Sequence, residues 1–333
     1  MKIVLFTCTL SIILLSSCNT DNYKNSSPEL KLITSSNTSG KISITDLLET
    51  TPVTKSFSLS STDSDGVFYN SDSDEIILAS RTNTRLENYS GVKYANSIEA
   101  SSLTLANFSS NTDFTNPREI TVSGDKVVIA QDQSTANGNV NKLVVYQKTA
   151  TGFNLLNTYT VNFKLWGIAI VGTDLFAVAD LTGDLVVFNN FLMNTSGSIT
   201  PSKRVTIQGL TRTHGLAYSS SDNVMVLTDV ASATSATDGG LIVINNFSTV
   251  FAATQNLGTI PTSNQIRIYG PNSFLGNPTD VAYDAVTKSI YVAERLNAGG
   301  QVLKFNLPTA SGDFSPASSR IEAGVTGIFL LRK

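Results

Sequence analysis

The sequence predicts an all-β protein, and its hydrophobic pattern is the first observation behind that prediction. From residue 29 onward, short runs alternate apolar and polar residues and are rich in Val, Ile, Tyr and Phe. Gly, Asn, Asp and Ser bound these runs, which is typical of strands joined by tight turns. Apolar residues make up 41% of the 333-residue chain, enough to form a sizeable buried core.

An internal repeat is the second observation. One unit, Pro278–Asn306, reads PTDVAYDAVTKSIYVAERLNAGGQVLKFN, and another, Leu165–Phe191, reads LWGIAIVGTDLFAVADLTGDLVVFNNF. Related but more interrupted units begin at Thr213, Pro117 and Asp65. Each unit predicts three strands, and a fourth strand follows most of them. Equivalent positions recur every 47 to 65 residues, and inserts at 231–239 and around 248–263 explain the longest interval. Four-stranded units at such intervals indicate a β-propeller.

The two chain ends predict how the propeller ring closes. The C-terminal residues from Thr326 suffice for one strand, whereas the N-terminal region predicts three strands, at Leu30–Thr34, Lys41–Thr45 and Lys55–Ser60. The last blade would then combine an innermost C-terminal strand with three N-terminal strands, which removes the open sheet edges. We therefore expect a six-bladed propeller of four-stranded blades over residues 29–333. Five or seven blades remain alternatives, because Ile98–Leu105 is hard to place in the repeat.

The unit Pro278–Asn306 resembles an NHL repeat. The resemblance rests on Pro278 with Asp280-Val-Ala, on Tyr291-Val-Ala-Glu294, on Asn297, and on the ending Val302 to Phe305. The unit at Leu165 matches nearly as well, whereas the first two units depart more from the pattern. The resemblance implies a six-bladed NHL-like or TolB-like propeller. It does not imply one activity, because this architecture hosts adaptors, hydrolases, lyases and structural modules.

The first 28 residues predict a lipid anchor. Lys2 precedes an apolar run, Ile3–Leu15, that is too short to span a bilayer but suits a secretory signal peptide over residues 1–17. The sequence Leu15-Ser16-Ser17-Cys18 resembles the lipobox of bacterial lipoproteins, which implies cleavage before Cys18 and lipidation of this residue. Residues 18–28 are polar and predict a flexible tether. The alternative is an ordinary cleaved signal peptide with a chance cysteine.

The lipobox resemblance and the composition bear on location and partners. The lipobox resemblance implies anchoring to a membrane of the bacterial cell envelope. Lipoproteins retained in the inner membrane usually have Asp directly after the lipidated Cys, whereas this chain has Asn19, which favours the outer membrane. The net charge is −3 and no basic run occurs, which argues against nucleic-acid binding. The two cysteines, Cys8 and Cys18, lie at the very start, so a disulfide framework and a cysteine zinc site are excluded. The single histidine excludes a multi-histidine metal centre.

One position per unit predicts a ligand site at the mouth of the central channel. The innermost strands line that channel, and the equivalent residues are Asp65, Arg118, Trp166, His214, Thr279 and Thr326. This set contains the only Trp and the only His of the chain. We expect Trp166 to offer a stacking surface, Arg118 to bind an anion and His214 to supply a titratable group. The alternative is a water-filled channel with hydrogen-bonded walls, in which Trp166 is only a plug.

The neighbouring position is mostly glycine, and we expect these small residues to keep the channel open. The glycines are Gly66, Gly167, Gly215 and Gly327, whereas Glu119 and Asp280 take the same position in two units. Other polar residues end the second strands, at Ser80, Gln131, Asp180, Asp229, Glu294 and Thr34. Together with Glu119 and Asp280 they suggest a Ca²⁺ site or, more strongly, side chains that cap the following turns. No bound metal or cofactor is predicted.

The sequence favours a non-catalytic function. No Gly-x-Ser-x-Gly elbow and no phosphate-binding loop occurs. We expect a binding or scaffold module at the cell envelope, with a protein surface or a small polar molecule as ligand at the channel mouth. One alternative is a metal-dependent hydrolase of the lactonase type that uses the central channel. Another is a structural partner in an outer-membrane assembly.

Overall fold

The computed structural model describes residues 27–333, which form six β-sheets arranged as blades around a central channel. The predicted signal peptide (residues 1–17), Cys18 and most of the predicted tether lie outside the described residues. Within residues 27–333, no helix is long and apolar enough to cross a membrane.

The strands follow each other outward from the channel within each blade. The outer strands of blade 6 are β1 (Leu30–Ser36), β2 (Lys41–Asp46) and β3 (Thr54–Ser58). Blade 1 consists of β4 (Ser64–Asn70), β5 (Glu75–Ser80), β6 (Arg85–Ser90) and β7 (Thr104–Phe108). Blade 2 consists of β8 (Pro117–Ser123), β9 (Lys126–Gln131), β10 (Asn141–Thr149) and β11 (Gly152–Val161).

The remaining blades repeat this order. Blade 3 consists of β12 (Leu165–Val171), β13 (Asp174–Ala179), β14 (Asp184–Phe188) and, after the two-residue strand β15 (Gly197–Ser198), of β16 (Lys203–Ile207). Blade 4 consists of β17 (Thr213–Ser219), β18 (Val224–Asp229), β19 (Gly240–Asn245) and, after the short β20 (Thr259–Ile260), of β21 (Ile266–Tyr269). Blade 5 consists of β22 (Pro278–Asp284), β23 (Ser289–Glu294), β24 (Gln301–Asn306) and β25 (Ser318–Ile321).

The predicted six blades and their closure are confirmed. The last strand, β26 (Val325–Arg332), pairs antiparallel with β1, from Leu30 opposite Arg332 to Ser36 opposite Val325. It is therefore the innermost strand of blade 6. The region that was hard to place lies after a short helix, α1 (Val92–Ser97), and runs into β7, the fourth strand of blade 1.

The long interval between two units has a structural cause. Part of the insert forms a second short helix, α2 (Phe247–Ala253), followed by β20. Strand β20 belongs to blade 4 in sequence but pairs parallel with β16 at the edge of blade 3. Strand β15 extends blade 2 in the same way by pairing with β11. Two blades thereby gain a fifth strand from the following blade. Three-residue 3₁₀ turns lie in the loops at Thr135–Asn137, Phe191–Met193, Thr262–Asn264, Pro271–Ser273 and Asn297–Gly299.

Apolar side chains fill the space between every pair of neighbouring blades. Between blades 2 and 3, for example, Leu143 and Val145 pack with Ile168 and Val186, all of them buried. Similar clusters lie at the other five interfaces. Because each sheet buries both faces, its strands contain more apolar residues than those of a sheet with one solvated face.

The glycine position next to the channel has a different function from the one predicted. A Cβ atom on Gly167 would lie 2.2 Å from the carbonyl oxygen of His214 in the next blade. On Gly66, Gly215 and Gly327 a Cβ would likewise lie within 2.4–2.7 Å of the backbone of the next innermost strand. The prediction that these glycines keep the channel open is therefore wrong. They allow the innermost strands to approach each other closely.

Removal of Val325–Lys333 is expected to abolish the cooperative thermal unfolding of the whole domain. The deletion leaves β1 as an unpaired inner edge and exposes Leu32 and Ile33, which are buried in the closed ring. Circular dichroism during heating measures the transition. Deletion of Ser232–Thr237, in a loop between paired strands, is the control and should preserve a cooperative transition. An unchanged transition after the C-terminal deletion would contradict closure as a condition of folding.

Candidate functional site

The six residues predicted to line the channel mouth lie around one cavity. Each is the second residue of an innermost strand, at the point where the strand pairing is interrupted by a β-bulge. A bulge turns its side chains out of the regular alternation, which here directs them toward the axis. The cavity, which we call the mouth cavity, has a volume of about 200 Å³, and its walls include Asp65, Arg118, Trp166, His214, Thr279 and Thr326. Binding of a ligand by these residues remains a prediction.

Trp166 does not offer the free stacking surface that the sequence suggested. Its ring lies parallel to the His214 imidazole, with 3.5 Å between centroids and 8° between planes. The Arg118 guanidinium lies 4.1 Å from the indole centroid. These neighbours belong to blades 4 and 2, on opposite sides of blade 3, so they cover opposite faces of the ring. The Trp166 side chain therefore positions Arg118 and His214 rather than presenting a face to a ligand.

His214 is a buried and neutral histidine. Burial lowers the pKa of its imidazole to about 4, although the Asp180 carboxylate, 3.0 Å from Nε2, acts in the opposite direction. Burial would raise the pKa of Asp180, but hydrogen bonds from His214 and Arg212 lower it below its usual value. An ionised Asp180 accepts hydrogen bonds only, so Nε2 of His214 carries the proton. Nδ1 is then an acceptor, and it has no hydrogen-bond partner among the described residues.

Charges of alternating sign continue around the mouth through blades 1 to 4. Arg118 lies 3.5 Å from Asp65 and 3.6 Å from Asp132, and Lys164 lies 3.7 Å from Asp132 and 3.6 Å from Asp180. Closed ion pairs with charged hydrogen bonds are shorter, at about 2.7–2.9 Å. The Arg118 Nε atom is buried and has no hydrogen-bond partner within residues 27–333. Much of the hydrogen-bonding capacity of these cations is therefore unused within the protein.

The sequence interpretation missed three arginines of this site. Arg81, Arg212 and Arg295 line the mouth cavity with Arg118, whereas Asp65 is the only carboxylate in its walls. Arg81 and Arg295 directly follow the second strands of their blades, and Arg212 directly precedes a first strand. The repeat contained a pattern that could have identified Arg212. The residue directly before the first strand is polar in each of blades 1 to 5, at Asp63, Asn116, Lys164, Arg212 and Asn277.

The carboxylates that end the second strands do not gather into a cation site. Glu294 accepts hydrogen bonds from the backbone N–H groups of Gly276, Asn277, Leu296 and Asn297. This arrangement supports the turn-capping interpretation. Within residues 27–333, no group of three or more His, Cys, Asp or Glu side chains is arranged to hold a metal ion. In blade 6, the residue that corresponds to Glu294 of blade 5 is Ser36, and not Thr34 as the sequence alignment suggested. Ser36 lies opposite Val325, the first residue of the innermost strand, just as Glu294 lies opposite Pro278.

Asp229 also caps a turn, with contacts that differ from those of Glu294. Its carboxylate accepts hydrogen bonds from the backbone N–H groups of Thr211 and Arg212, and from the Tyr269 hydroxyl. These bonds connect the end of β18 to the segment before β17 and to the outer strand of blade 4. Asp229 is therefore occupied by the protein itself, as Glu294 is.

A second polar pair lies deeper in the channel. Glu119 of blade 2 and Asp280 of blade 5 are hydrogen-bonded to each other across the ring. Asp280 also accepts hydrogen bonds from the backbone N–H groups of Val281 and Ile328, at 2.8 and 2.7 Å. Both side chains line a lower channel cavity of about 180 Å³ with otherwise mostly apolar walls. Burial raises the pKa of both carboxyls, that of Asp280 to about 7, so the pair retains a proton near neutral pH.

Comparisons with known proteins support the fold alone. No family model and no curated protein matches the sequence. The structure is similar to a chain of a nidogen/laminin complex, with a TM-score of 0.60, 11% identity and coverage of 90% of this chain and 98% of that chain. It is similar to a protein of unknown function from Bacteroides caccae, with a TM-score of 0.60, 9% identity and coverage of 92% and 100%.

A third similar structure bears the name of an enzyme. It is described as a candidate 6-phosphogluconolactonase from Bacteroides fragilis, with a TM-score of 0.55, 15% identity and coverage of 88% of this chain and 82% of that chain. Identities this low establish a shared architecture and no shared activity. The chain is a six-bladed β-propeller with a polar, arginine-lined channel mouth.

Glu119→Gln is expected to reduce the pH dependence of stability. In the native protein, burial raises the pKa of the Asp280 carboxyl to about 7. Its contribution to the free energy of unfolding is therefore fully present below about pH 4 and is lost as the pH rises through about 7. Its slope reaches about 1.4 kcal/mol per pH unit for one proton. The variant removes the titration of Glu119, whereas the buried Asp280 still titrates, and the glutamine amide can still donate to Asp280. The slope should therefore become smaller without loss of the contact. Urea titrations from pH 4 to 8 measure the free energy of unfolding.

Glu99→Gln is the matched control, because the Glu99 side chain is 85% exposed. It should leave the slope unchanged. The same slope in Glu119→Gln and in the native protein would contradict a proton shared between Glu119 and Asp280.

Proposed function

We propose that this chain is a bacterial envelope lipoprotein whose NHL-like β-propeller binds a small anionic ligand at the channel mouth without catalysing a reaction. One observation carries the proposal: four arginines and a single carboxylate line the mouth cavity. Guanidinium groups bind carboxylates and phosphates through paired hydrogen bonds, so walls of this composition favour an anion. Asp63, Asp132 and Asp180, outside the walls, neutralise part of the charge of Arg81, Arg118 and Arg212.

The arginine with the fewest protein partners is Arg295. When the Asn37 amide is turned so that both of its polar atoms find partners, its oxygen accepts a hydrogen bond from Arg295 Nε at 2.9 Å, and Arg295 makes no ion pair among the described residues. A buried or partly buried cation without a counter-ion is costly, and a bound anion would offset that cost. Arg212 uses its Nε for Asp180, which leaves its terminal nitrogens for a ligand.

The acceptors of the site narrow the ligand class further. His214 Nδ1 and Asn277 Oδ1 are buried at the wall of the mouth cavity, and neither has a hydrogen-bond partner. Each would be satisfied by a hydroxyl or amino donor of the ligand. The volume of about 200 Å³ is below the roughly 300–1,000 Å³ of sites for drug-sized molecules. We infer a small carboxylate or phosphate that also carries hydroxyl or amino groups.

The arrangement around His214 supports binding rather than acid–base catalysis. Its Nε2 is held by Asp180 and its ring is packed on Trp166. Within the described residues, no serine, threonine or cysteine is hydrogen-bonded to the imidazole, so the nucleophile of a triad is not in place. His214 therefore serves as a fixed acceptor.

A lactonase-type hydrolase would need a divalent ion in the channel, and the described residues do not fit one there. The walls of the mouth cavity carry four guanidinium groups, which would repel a cation, and Asp65 already lies 3.5 Å from Arg118. In the lower channel cavity, Glu119 and Asp280 supply only two carboxyl groups, and among the described residues no third His, Cys, Asp or Glu side chain joins them to hold a metal ion. We therefore derive no step through a metal.

Glycerate is expected to raise the melting temperature, whereas glycerol, which lacks the carboxylate, should not. Arg295→Gln should weaken glycerate binding by about 10- to 100-fold, because a hydrogen bond to a charged group contributes about 1.5–3 kcal/mol. Titration calorimetry measures the affinity of glycerate for the native protein and for the Arg295→Gln variant. Inorganic phosphate serves as a second anionic probe.

Arg204→Gln is the control for this experiment, because Arg204 lies on the outer strand β16 and pairs with Asp184. It should bind glycerate as the native protein does. Equal stabilisation by glycerol, or an affinity unaffected by Arg295→Gln, would contradict anion binding at the mouth. A melting temperature that falls with EDTA and recovers with one divalent metal would instead favour the hydrolase.

The anchor is the second part of the proposal. Its support is the lipobox-like sequence ending at Cys18 and the absence of other cysteines from residues 19–333. Asn19 stands directly after Cys18, where the signal for inner-membrane retention has Asp, and this supports the outer membrane as the destination. Several acyl chains on one residue give stable membrane attachment, whereas a single chain gives only marginal binding.

Cys18→Ala is expected to release the protein from the membrane fraction of a bacterial host that processes lipoproteins, because the acyl chains have no attachment site. Fractionation followed by immunoblotting measures the distribution. Cys8→Ala is the matched control and should remain membrane-bound, since Cys8 lies within the predicted signal peptide. A Cys18→Ala variant that stays in the membrane fraction would contradict lipid anchoring.

A further inference from the structure

The path of the chain shows on which face of the propeller the N-terminal segment arrives. Strand β26 begins at the mouth, where Thr326 lines the mouth cavity, and ends at Arg332 on the opposite face, which we call the base. Leu30, the first residue of β1, pairs with Arg332, whereas Asn37, just after β1, lines the mouth cavity. The chain therefore enters the domain at the base and not at the mouth.

Large apolar side chains are exposed on the base around this entry point. Leu48 and Val53, in the connection between β2 and β3, are 51% and 61% exposed. Tyr94 and Ile98, in and after helix α1, are 69% and 55% exposed. Val286, in the turn between β22 and β23, is 68% exposed. These positions belong to blades 6, 1 and 5, the blade that the chain enters and its two neighbours.

Contacts join the blade 6 and blade 1 parts of this region, and Arg332, opposite Leu30 at the entry point, donates hydrogen bonds to Asp284, two residues before Val286 of blade 5. The Lys55 ammonium donates a hydrogen bond to the backbone oxygen of Asn96 at 2.7 Å, which connects blade 6 to helix α1. Lys93 lies 4.0 Å from Glu29, at the entry point itself. Val53 and Asn96 line the same surface depression. We call the surface formed by Leu48, Val53, Tyr94, Ile98 and Val286 the base patch.

The distance along the chain restricts what the base patch can meet. Leu30 is the twelfth residue after Cys18, and a chain of twelve residues spans at most about 40 Å when fully extended. As a flexible coil it would span about 20 Å. A seven-residue strand such as β1 is itself about 23 Å long. A lipid on Cys18 is therefore held near the base, and placing the mouth on the membrane would require a nearly extended tether along the outside of the domain.

The chemistry of the base patch suits the interfacial region of a bilayer. Lysines and acidic groups alternate around it, as in the ion pairs of Lys31 with Asp46 and Lys93 with Glu29. Attraction to anionic lipids is thus not the main contribution. Tyr and aliphatic side chains gain free energy from partial burial among lipid headgroups, where the Tyr hydroxyl stays hydrated.

We propose that the base patch rests on the lipid surface, so that the mouth cavity opens away from the membrane; this inference rests on the proposed lipid anchor at Cys18. The occupant of the patch is the bilayer of the chain's own anchor. The base patch adds a second, weak contact that limits rotation of the domain on its tether.

The orientation is measured on the lipidated protein, purified from membranes and reconstituted into phosphatidylcholine vesicles that carry a headgroup quencher. Residues 19–333 contain no cysteine, and the Cys18 thiol is blocked by the lipid, so one introduced cysteine carries the only maleimide fluorophore. Val53→Cys and Val286→Cys report on the base. Leu181→Cys and Phe274→Cys report on the mouth side, where both native side chains are also exposed. Quenching of the base fluorophores is expected to exceed that of the mouth fluorophores several-fold.

Flotation of the same vesicles separates failure of the anchor from failure of the orientation. Vesicle-bound protein with equal quenching at the two faces, or with stronger quenching at the mouth, would overturn the orientation and leave the anchor intact. Protein that does not float would overturn the anchor and the orientation together. Leu48→Asp combined with Tyr94→Asp should reduce quenching at Val286→Cys without affecting flotation, whereas Leu181→Asp should change neither. Unchanged quenching in the double variant would exclude contact between the base patch and the lipid.

Discussion

The structure depends on the close approach of its six innermost strands around one axis. At four of the six positions this approach leaves no room for a Cβ atom, because the backbone of the next blade occupies the space beside Gly66, Gly167, Gly215 and Gly327. The other two positions carry Glu119 and Asp280, whose side chains meet across the channel. Tight strand contacts and one polar cross-connection therefore determine the width of the channel, and that width limits the size of any ligand.

The same constraint explains the chemistry of the mouth. Each innermost strand starts with a bulge at the same place, so its second side chain is turned to the axis whatever its type. Blades 1 to 4 use this position for a carboxylate, a guanidinium, an indole and an imidazole, which form the connected series Asp65, Arg118, Trp166 and His214. Blades 5 and 6 contribute Thr279 and Thr326, which hydrogen-bond to backbone oxygens. At this strand position the charged and aromatic side chains thus come from consecutive blades, and the smaller threonines leave room in the cavity beside Arg295 of blade 5.

The repeat allowed much of this to be predicted, because its period indicates which residues are equivalent. The six-bladed ring, its closure by β26, and one residue from each blade at the mouth cavity follow from aligning the units. The alignment does not give distances between blades. It therefore could not show that Trp166 is enclosed by Arg118 and His214, or that the glycines are in contact with neighbouring strands. Arg81, Arg212 and Arg295 lie just outside the strands, where the unit pattern is least regular, so they were found only in the structure.

The division of the channel gives its two ends different chemistry. The mouth cavity and the lower channel cavity share no lining residue, and the Glu119–Asp280 pair lies in the wall of the lower one. A small anion that reaches Arg118 and Arg295 from the mouth would meet a proton-sharing carboxyl pair and then apolar walls if it moved further, and both are unfavourable for its charge. Exchange of such a ligand would therefore occur through the mouth. If the base rests on lipid as proposed, the mouth is also the face that the surrounding solution reaches freely, so ligand access and membrane attachment would not compete for the same surface.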